Sequence, residues 1–224
     1  MKSVYMFPFI YEKQEYGALI ITNENTGIVS SHKLQLLSSI TGQIDMAFQN
    51  YMNLTREMKR ASIDGLTGLY NRRTFDEQLE AAVSEALANN TQLSLLILDT
   101  DDFKDYNDNY GHPAGDRLLK VISDTAAGCI RSTDIAARYG GEEFAFILKE
   151  TDLNSAVAIA ERIRSSIEAV SSTDMSMKVT VSIGVGTLPD GSGDIHALIE
   201  AADKSLYIAK RSGKNRVCCI SSDI

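Results

Sequence analysis

The chain has 224 residues, 44% hydrophobic and 23% charged, the balance of a globular protein with room for one large domain and a smaller piece. Its net charge of −8 argues against a grip on nucleic-acid polymers or anionic lipid, and no apolar run approaches the ~20 residues that span a bilayer. The three cysteines, Cys129, Cys218 and Cys219, have neither disulfide-framework nor metal-ligand spacing, so packing roles, a cytoplasmic setting and no membrane contact from this segment are expected.

Residues 3–11 and 16–22 read as two strands joined by a polar connection, and residues 23–27 as a turn-rich break. From Ser31 the pattern becomes helical, with Ser30 or Ser31 suited to the N-cap. Leu37, Ile40, Ile44, Ala47, Tyr51, Leu54, Met58 and Ala61 are separated alternately by three and four residues, the period of a coiled-coil seam. A helix packed against its own domain also carries an apolar stripe. Two short strands offer too little surface to cover this one, so a homodimer through the 31–61 helix is expected.

A second domain begins near Ile63. The spacing predicts helices over 72–88, 113–129, 153–170 and 194–211, and strands over 93–98, 134–139, 143–148, 177–187 and 215–220. This order, αβαββαβαβ, predicts an α+β fold with a mainly antiparallel sheet flanked by helices, of ferredoxin-like or polymerase-palm type. The expected layout is a fragment over 1–30, a linking helix over 31–61 and a main domain over 62–224.

Two acidic elements stand out. Strand 93–98 runs into Asp99-Thr100-Asp101-Asp102, where three acids would repel one another unless a cation or solvent relieves them. Strand alternation would put Asp99 and Asp101 on one face and turn Asp102 away. Farther on, Arg138-Tyr139-Gly140-Gly141-Glu142-Glu143-Phe144 reads as a tight hairpin, both glycines taking positive φ and two carboxylates standing at the tip. Taken singly, each is an acidic loop or an ordinary turn. Facing each other in one sheet, they would suit a divalent cation and, through it, a nucleotide phosphate. Between them, Asn107 can offer a donor and an acceptor to a base edge, and Asp116 can accept from the N1 and N2 hydrogens of guanine.

These pieces occur in a recognisable order. Asp64-Gly65-Leu66-Thr67-Gly68-Leu69-Tyr70-Asn71-Arg72-Arg73, Asp99-Thr100-Asp101-Asp102-Phe103-Lys104, Asn107-Asp108, Gly111-His112, Gly115-Asp116 and the Gly140–Phe144 hairpin together resemble the GGDEF family over roughly residues 62–220. Most members are diguanylate cyclases, which join two GTP molecules into cyclic di-GMP and release pyrophosphate. The resemblance implies that Asp99, the carbonyl of Thr100 and Glu142 hold Mg²⁺, with Mn²⁺ as a substitute. It makes Glu142 the general base for the ribose 3′-hydroxyl, Glu143 a supporting acid and Lys104 a stabiliser of phosphate charge. Asn107, His112 and Asp116 fall at substrate-contacting positions, the first and last on guanine. Lys210 and Lys214, four apart, match the phosphate-binding cations, although a helix C-terminus attracts cations anyway. Arg131 and Asp134 match a site where product binds and arrests the enzyme.

Three positions depart from the family pattern. Thr100 stands for an aliphatic residue, a change to which a backbone ligand is indifferent. Asp102 replaces an aromatic or aliphatic residue. Lys214 replaces arginine and so loses the bidentate fork. Residues 1–60, two strands and a helix, resemble the C-terminal end of a GAF sensory domain, which implies a truncated sensor. The expected activity is a product-inhibited diguanylate cyclase. The alternative is a non-catalytic receptor for GTP or cyclic di-GMP, a fate of members that lose an acid which this chain keeps. A cyclase that also takes ATP is disfavoured by Asp116.

Overall fold

The computed structural model describes residues 3–11, 14–23, 30–60, 62–174, 179–188 and 194–220. The chain divides into two compact units, Met1–Ala61 and Ser62–Ile224.

In the first unit, β1 (Ser3–Tyr11) and β2 (Gln14–Asn23) pair antiparallel, with the register slipping between Phe9 and Ile10. The second strand starts two residues earlier than its apolar run, because the hairpin ladder continues through polar Gln14 and Glu15. Helix α1 (Ser31–Arg60) meets this sheet through Phe48, whose ring lies 5.7 Å from Phe9 and 5.8 Å from Tyr16. The Tyr11 hydroxyl donates to Asn53 Oδ1 at 2.8 Å. These contacts use the side of the helix that carries Phe48, Gln49 and Asn53. The neighbouring stripe stays exposed: Ile40, Ile44, Tyr51 and Leu54 are 40–65% accessible. Ala61, the last seam position, lies outside the described residues.

The second unit is built on a six-stranded sheet of order β3-β5-β6-β4-β7-β8. Its elements are β3 (Tyr70–Asn71), α2 (Arg72–Asn89), β4 (Leu93–Thr100), α3 (Phe103–Tyr110), α4 (His112–Ala127), β5 (Ile135–Arg138), β6 (Glu143–Lys149), α5 (Leu153–Asp174), β7 (Val181–Thr187), α6 (Ile195–Arg211) and β8 (Val217–Cys219). Strand β4 pairs antiparallel with β6 on one side and β7 on the other; only the short outer pairs β3–β5 and β7–β8 are parallel. The expected α+β class, mainly antiparallel sheet with flanking helices, is the observed one. Several features differ from the sequence reading. The short strand β3 has no counterpart in it, and the last strand, β8, is shorter than the expected 215–220. Phe103–Tyr110 forms a helix although four of its eight residues are Asp or Asn, which favour turns over helix interiors. Strand β7 starts at Val181, and residues 177–178 of the longer strand expected there lie outside the described residues.

All eight residues of β4 are buried, because both faces of the sheet are covered. Leu96 and Leu98 join Phe144, Phe146, Leu118, Ile122 and Ile163 on the face of α3, α4 and α5. Leu93, Leu95 and Ile97 join Phe75, Leu79, Leu198 and Leu206 on the face of α2 and α6. Helix α6 sits unusually close to β7. A Cβ on Gly184 would lie 2.1 Å from the Ala202 carbonyl oxygen and 2.3 Å from the Leu206 nitrogen. Among the described residues no helix is long and apolar enough to cross a membrane.

The close approach at Gly184 gives a first test. Gly184→Val must push α6 off the sheet, and overpacking of this kind costs about 1–3 kcal/mol or more. Urea denaturation should show a clearly lowered midpoint, whereas an unchanged midpoint would contradict the tight α6–β7 contact.

Candidate active site

The side-chain alternation that sends Leu95 and Ile97 toward α6 carries Asp99 to the same face. Antiparallel register then sets Asp99 opposite Glu143 on β6 and Ser182 on β7. Asp99 is only 5% exposed. Lys210, in the last turn of α6, reaches it with Nζ 2.7 Å from Oδ2. Burial pushes the Asp99 carboxyl above its ordinary range, Lys210 pulls it back, and Glu143 and Asp101 push it up again. Glu142 behaves alike: burial raises it first, Asp99 raises it further, Lys210 opposes, and Glu143 adds to the rise. Two acids above the usual range beside one lysine form a site short of positive charge.

The other acids at the strand end have different fates. The strand ends at Thr100, but Asp101 carries on its alternation: its amide donates to the Thr180 carbonyl at 2.9 Å, and its carboxylate meets Ser182, the residue set opposite Asp99. It is buried, and accepts hydrogen bonds from Thr180 Oγ1 (2.7 Å), Ser182 Oγ (2.7 Å) and the Asn215 amide (3.0 Å). Hydroxyls and an amide relieve this carboxylate, where the sequence suggested a cation or solvent. Asp102 takes the left-handed conformation (φ +54°) and bonds Lys214, itself at φ +59°. The two departures from the family pattern at these positions are thus partners. Thr100 is a third surprise: its hydroxyl and its amide donate to the Glu142 carbonyl at 3.2 and 3.3 Å, so an aliphatic residue here would lose one of the ties between strand end and hairpin.

The hairpin is not a two-residue turn. Its loop runs from Tyr139 to Glu142, closed by the Tyr139 and Gly140 amides donating to the Glu143 carbonyl at 2.8 and 3.1 Å. Among the described residues the glycines at positive φ are Gly68, Gly111 and Gly213, so neither Gly140 nor Gly141 supplies the left-handed geometry expected of it. A Cβ on Gly140 would first meet the carboxylate end of the Glu143 side chain, 2.2 Å from Oε2, an end that can swing aside. Arg138 holds the loop: it donates to the Gly141 carbonyl (2.7 Å from Nη2, 3.2 Å from Nε) and to both Asp64 oxygens at 3.3 Å. Burial works against ionising Asp64, but hydrogen bonds from Thr67 and the Arg138 charge hold its carboxyl below the ordinary range. On the other side the Arg72 guanidinium lies 4.5 Å over the Tyr139 ring.

Asp99, Thr100, Asp102, Lys104, Glu142, Lys210 and Lys214 line one cleft of about 170 Å³. Lys104, exposed at the start of α3, is one turn before Asn107, which places both on one side of that helix. Asn107 abuts α4 at Gly115, where a Cβ would fall 1.9 Å from Asn107 Oδ1. That oxygen is buried and has no hydrogen-bond partner. An unpaired buried acceptor is costly, and its orphaning suits a position that a ligand's donor fills. His112 and Asp116 are exposed on the first turns of α4. Arg131 and Asp134 also come together, but in a separate cleft of about 560 Å³ lined by Leu69, Tyr70, Ile130 and Ala136. There Asp134 closes the turn by accepting from the Arg131 amide at 2.9 Å and from the Lys149 amide at 3.3 Å. The residues missed by the sequence reading are Thr180, Ser182 and Asn215, which donate to Asp101 and so support the strand end. Only the Gly213-Lys214-Asn215 break after α6 hinted that a shaped loop lies there.

The donor set is compatible with a hard divalent ion: two carboxylates and a main-chain carbonyl, all oxygen, with the carboxylates short of compensation and a lysine nitrogen bonded to one of them. Among the described residues no three His, Cys, Asp or Glu side chains converge into a ready cage. Magnesium sites completed by substrate phosphates commonly have one or two protein carboxylates.

Residues 61–216 match the family model described as "Diguanylate cyclase, GGDEF domain". The chain belongs to the GGDEF family. It is 41% identical over 170 residues to the response regulator PleD of Caulobacter vibrioides, an alignment covering 74% of this chain and 37% of PleD. It is 36% identical over 205 residues to the diguanylate cyclase DosC of Escherichia coli, covering 88% of this chain and 44% of DosC. The chain therefore spans less than half the length of these relatives. Among solved structures, the coiled coil and GGDEF domain of DgcB from Caulobacter crescentus, in complex with cyclic di-GMP, superposes with a TM-score of 0.71 at 33% identity, covering 85% of this chain and all of that one. The diguanylate cyclase SiaD of Pseudomonas aeruginosa, in complex with its activator SiaC, gives a TM-score of 0.66 at 34% identity over 83% of this chain and 72% of SiaD.

The raised carboxyls give a signed prediction for the metal-free protein. Folded Glu142 holds its proton more tightly than in the unfolded chain, so its contribution to stability is present at low pH and is lost as pH rises through its raised folded value. With a chelator present, Glu142→Gln should melt with the native chain near about pH 4 and a few degrees above it near about pH 7.5. A difference that stays flat or reverses with pH would show that Glu142 is not strained by its neighbours.

Proposed function

We propose that this chain is the catalytic portion of a diguanylate cyclase, converting two GTP molecules to cyclic di-GMP and pyrophosphate. The observation that carries the reading is the meeting of Asp99, Glu142 and Lys210 at one cleft beside Lys104 and Lys214. Asp99, Glu142 and the Thr100 carbonyl would hold Mg²⁺, or Mn²⁺ in its place. The bound ion would neutralise phosphate charge and polarise the α-phosphorus for attack.

The chain's own groups supply the rest. Lys210 and Lys214 bind the polyphosphate tail, and Lys104 meets the charge that builds as the phosphoryl group is transferred. Asn107 and Asp116 read guanine, the orphaned Asn107 oxygen accepting a base hydrogen, and His112 contacts substrate nearby. Glu142, its carboxyl raised toward neutrality by burial and by Asp99, takes the proton of the ribose 3′-hydroxyl, with Glu143 in support. The 3′-oxygen then bonds the α-phosphorus of the facing GTP as the bond to pyrophosphate breaks. Two such bonds close the ring, and one domain holds one GTP, so two domains must face each other. The exposed stripe of Ile40, Ile44, Tyr51 and Leu54 supports dimerisation through the 31–61 helix, which links a GAF-like end piece (1–30) to the catalytic domain (62–224). Retention of Asp99, Glu142 and Glu143 speaks against a non-catalytic receptor.

Purified chain given Mg²⁺ and GTP should form cyclic di-GMP, and Glu142→Gln should lower the rate by a factor on the order of 10² or more. Absence of product from the native chain under dimer-forming conditions would favour the receptor reading. The cleft with Arg131 and Asp134 is proposed as the product-binding site that arrests the enzyme. Arg131→Ala should therefore raise the product concentration for half-inhibition by about tenfold or more. Unchanged inhibition would remove that role.

A further inference from the structure

The cleft holds two lysines, and each is bonded to an acid from the end of β4: Lys210 to Asp99, Lys214 to Asp102. On the proposed reading the first pair is exchanged when a cation takes the lysine's place beside Asp99. The second pair has no such replacement. Asp102 and Lys214 are both partly exposed, and such pairs between mobile side chains are usually weak. Here, however, the backbones are held from beneath. The next residue on each side forms its own link, the Asn215 amide donating to Asp101 at 3.0 Å. Asn215 is fixed in turn by Arg164 Nη1 at 2.7 Å and by its own Nδ2 donating to Glu168 at 3.2 Å. Asp102, Lys214 and Asn215 all keep positive φ, a conformation that costs non-glycine residues energy and persists where surrounding contacts impose it. The loop after α6 is thus docked on the end of β4 with the lysine presented to the aspartate.

We infer that Asp102 is an affinity-setting residue: it is the resident counter-ion of Lys214, and a nucleotide's polyphosphate tail must displace it to bind. The inference rests on the proposed nucleotide site. Asp102 does not touch the reacting atoms; it acts through Lys214, adding a negative charge where an anionic tail must lie. Its removal strengthens binding of the tail and leaves recognition of the base alone.

The test is equilibrium binding of Mg²⁺ with α,β-methylene-GTP, and separately of guanosine, to the whole chain. The native protein, Asp102→Asn, Asp102→Ser, Lys214→Ala and the Asp102→Asn/Lys214→Ala double variant are compared. Asp102→Asn and Asp102→Ser should bind the analogue about two- to fivefold more tightly at low salt, with the gain shrinking at high salt and guanosine affinity unchanged. In the Lys214→Ala background the gain should vanish. Unchanged or weaker binding by both Asp102 variants would overturn the inference, as would a full gain without Lys214, which would mark a diffuse charge effect. If the folded native chain fails to bind the analogue at all, the nucleotide site itself is wrong and the inference falls with it; that outcome is read from the native protein alone, apart from any ratio between variants.

Discussion

The structure of the main domain is organised around a charge problem at the end of one buried strand. Strand β4 lies between β6 and β7 with both faces covered, and its apolar run ends in acids. Burial there makes each unpaired carboxylate expensive. Register sets Asp99 against Glu143, and the hairpin adds Glu142. Each neighbouring element contributes a partial answer. Helix α6 supplies Lys210, β7 and the residue before it supply hydroxyls to Asp101, and the loop after α6 supplies an amide and Lys214. What is left uncompensated is the pair Asp99 and Glu142, and that residue of negative charge is what the proposed site uses.

Geometry at the hairpin depends on ties from three directions. Thr100 binds the Glu142 carbonyl, Arg138 binds the Gly141 carbonyl, and Arg72 covers Tyr139. Arg138 also grips Asp64, at the entry to the domain, so the same guanidinium joins the first turn of the unit to the tip that carries Glu142. This link is partly shielded from solvent and made through charged groups, which makes it stiffer than a surface ion pair. It gives the acidic tip a rigid setting, as a site that must hold carboxylates apart from one another requires.

Much of this was legible in the sequence because it is periodic or local. The apolar run before Asp99, the alternating strands and the amphipathic helices announced the sheet and its flanking helices. The motif order announced the family. What stayed hidden follows from distance or from local ambiguity. Asp101 meets Thr180, Ser182 and Asn215 across 79, 81 and 114 residues, beyond any local pattern. Helix α3 was concealed by a run of Asp and Asn that ordinarily makes turns; it is held by Phe103 and Tyr106, which anchor it in the core. The glycine pair suggested positive φ, yet neither Gly140 nor Gly141 takes it. Asp102 and Lys214 each read as a lone departure, and only the fold shows them paired.

On the proposed reading, the end of β4 and the hairpin hold a divalent ion together with a guanine nucleotide. Crystals of the chain grown with Mn²⁺ and a non-hydrolysable GTP analogue, measured at the manganese edge, address it directly. The expected result is an anomalous peak between the Asp99 and Glu142 carboxylates, with Lys210 moved from Asp99 to phosphate and guanine against Asn107. A nucleotide bound with Lys210 still on Asp99, or manganese found only elsewhere, would contradict it.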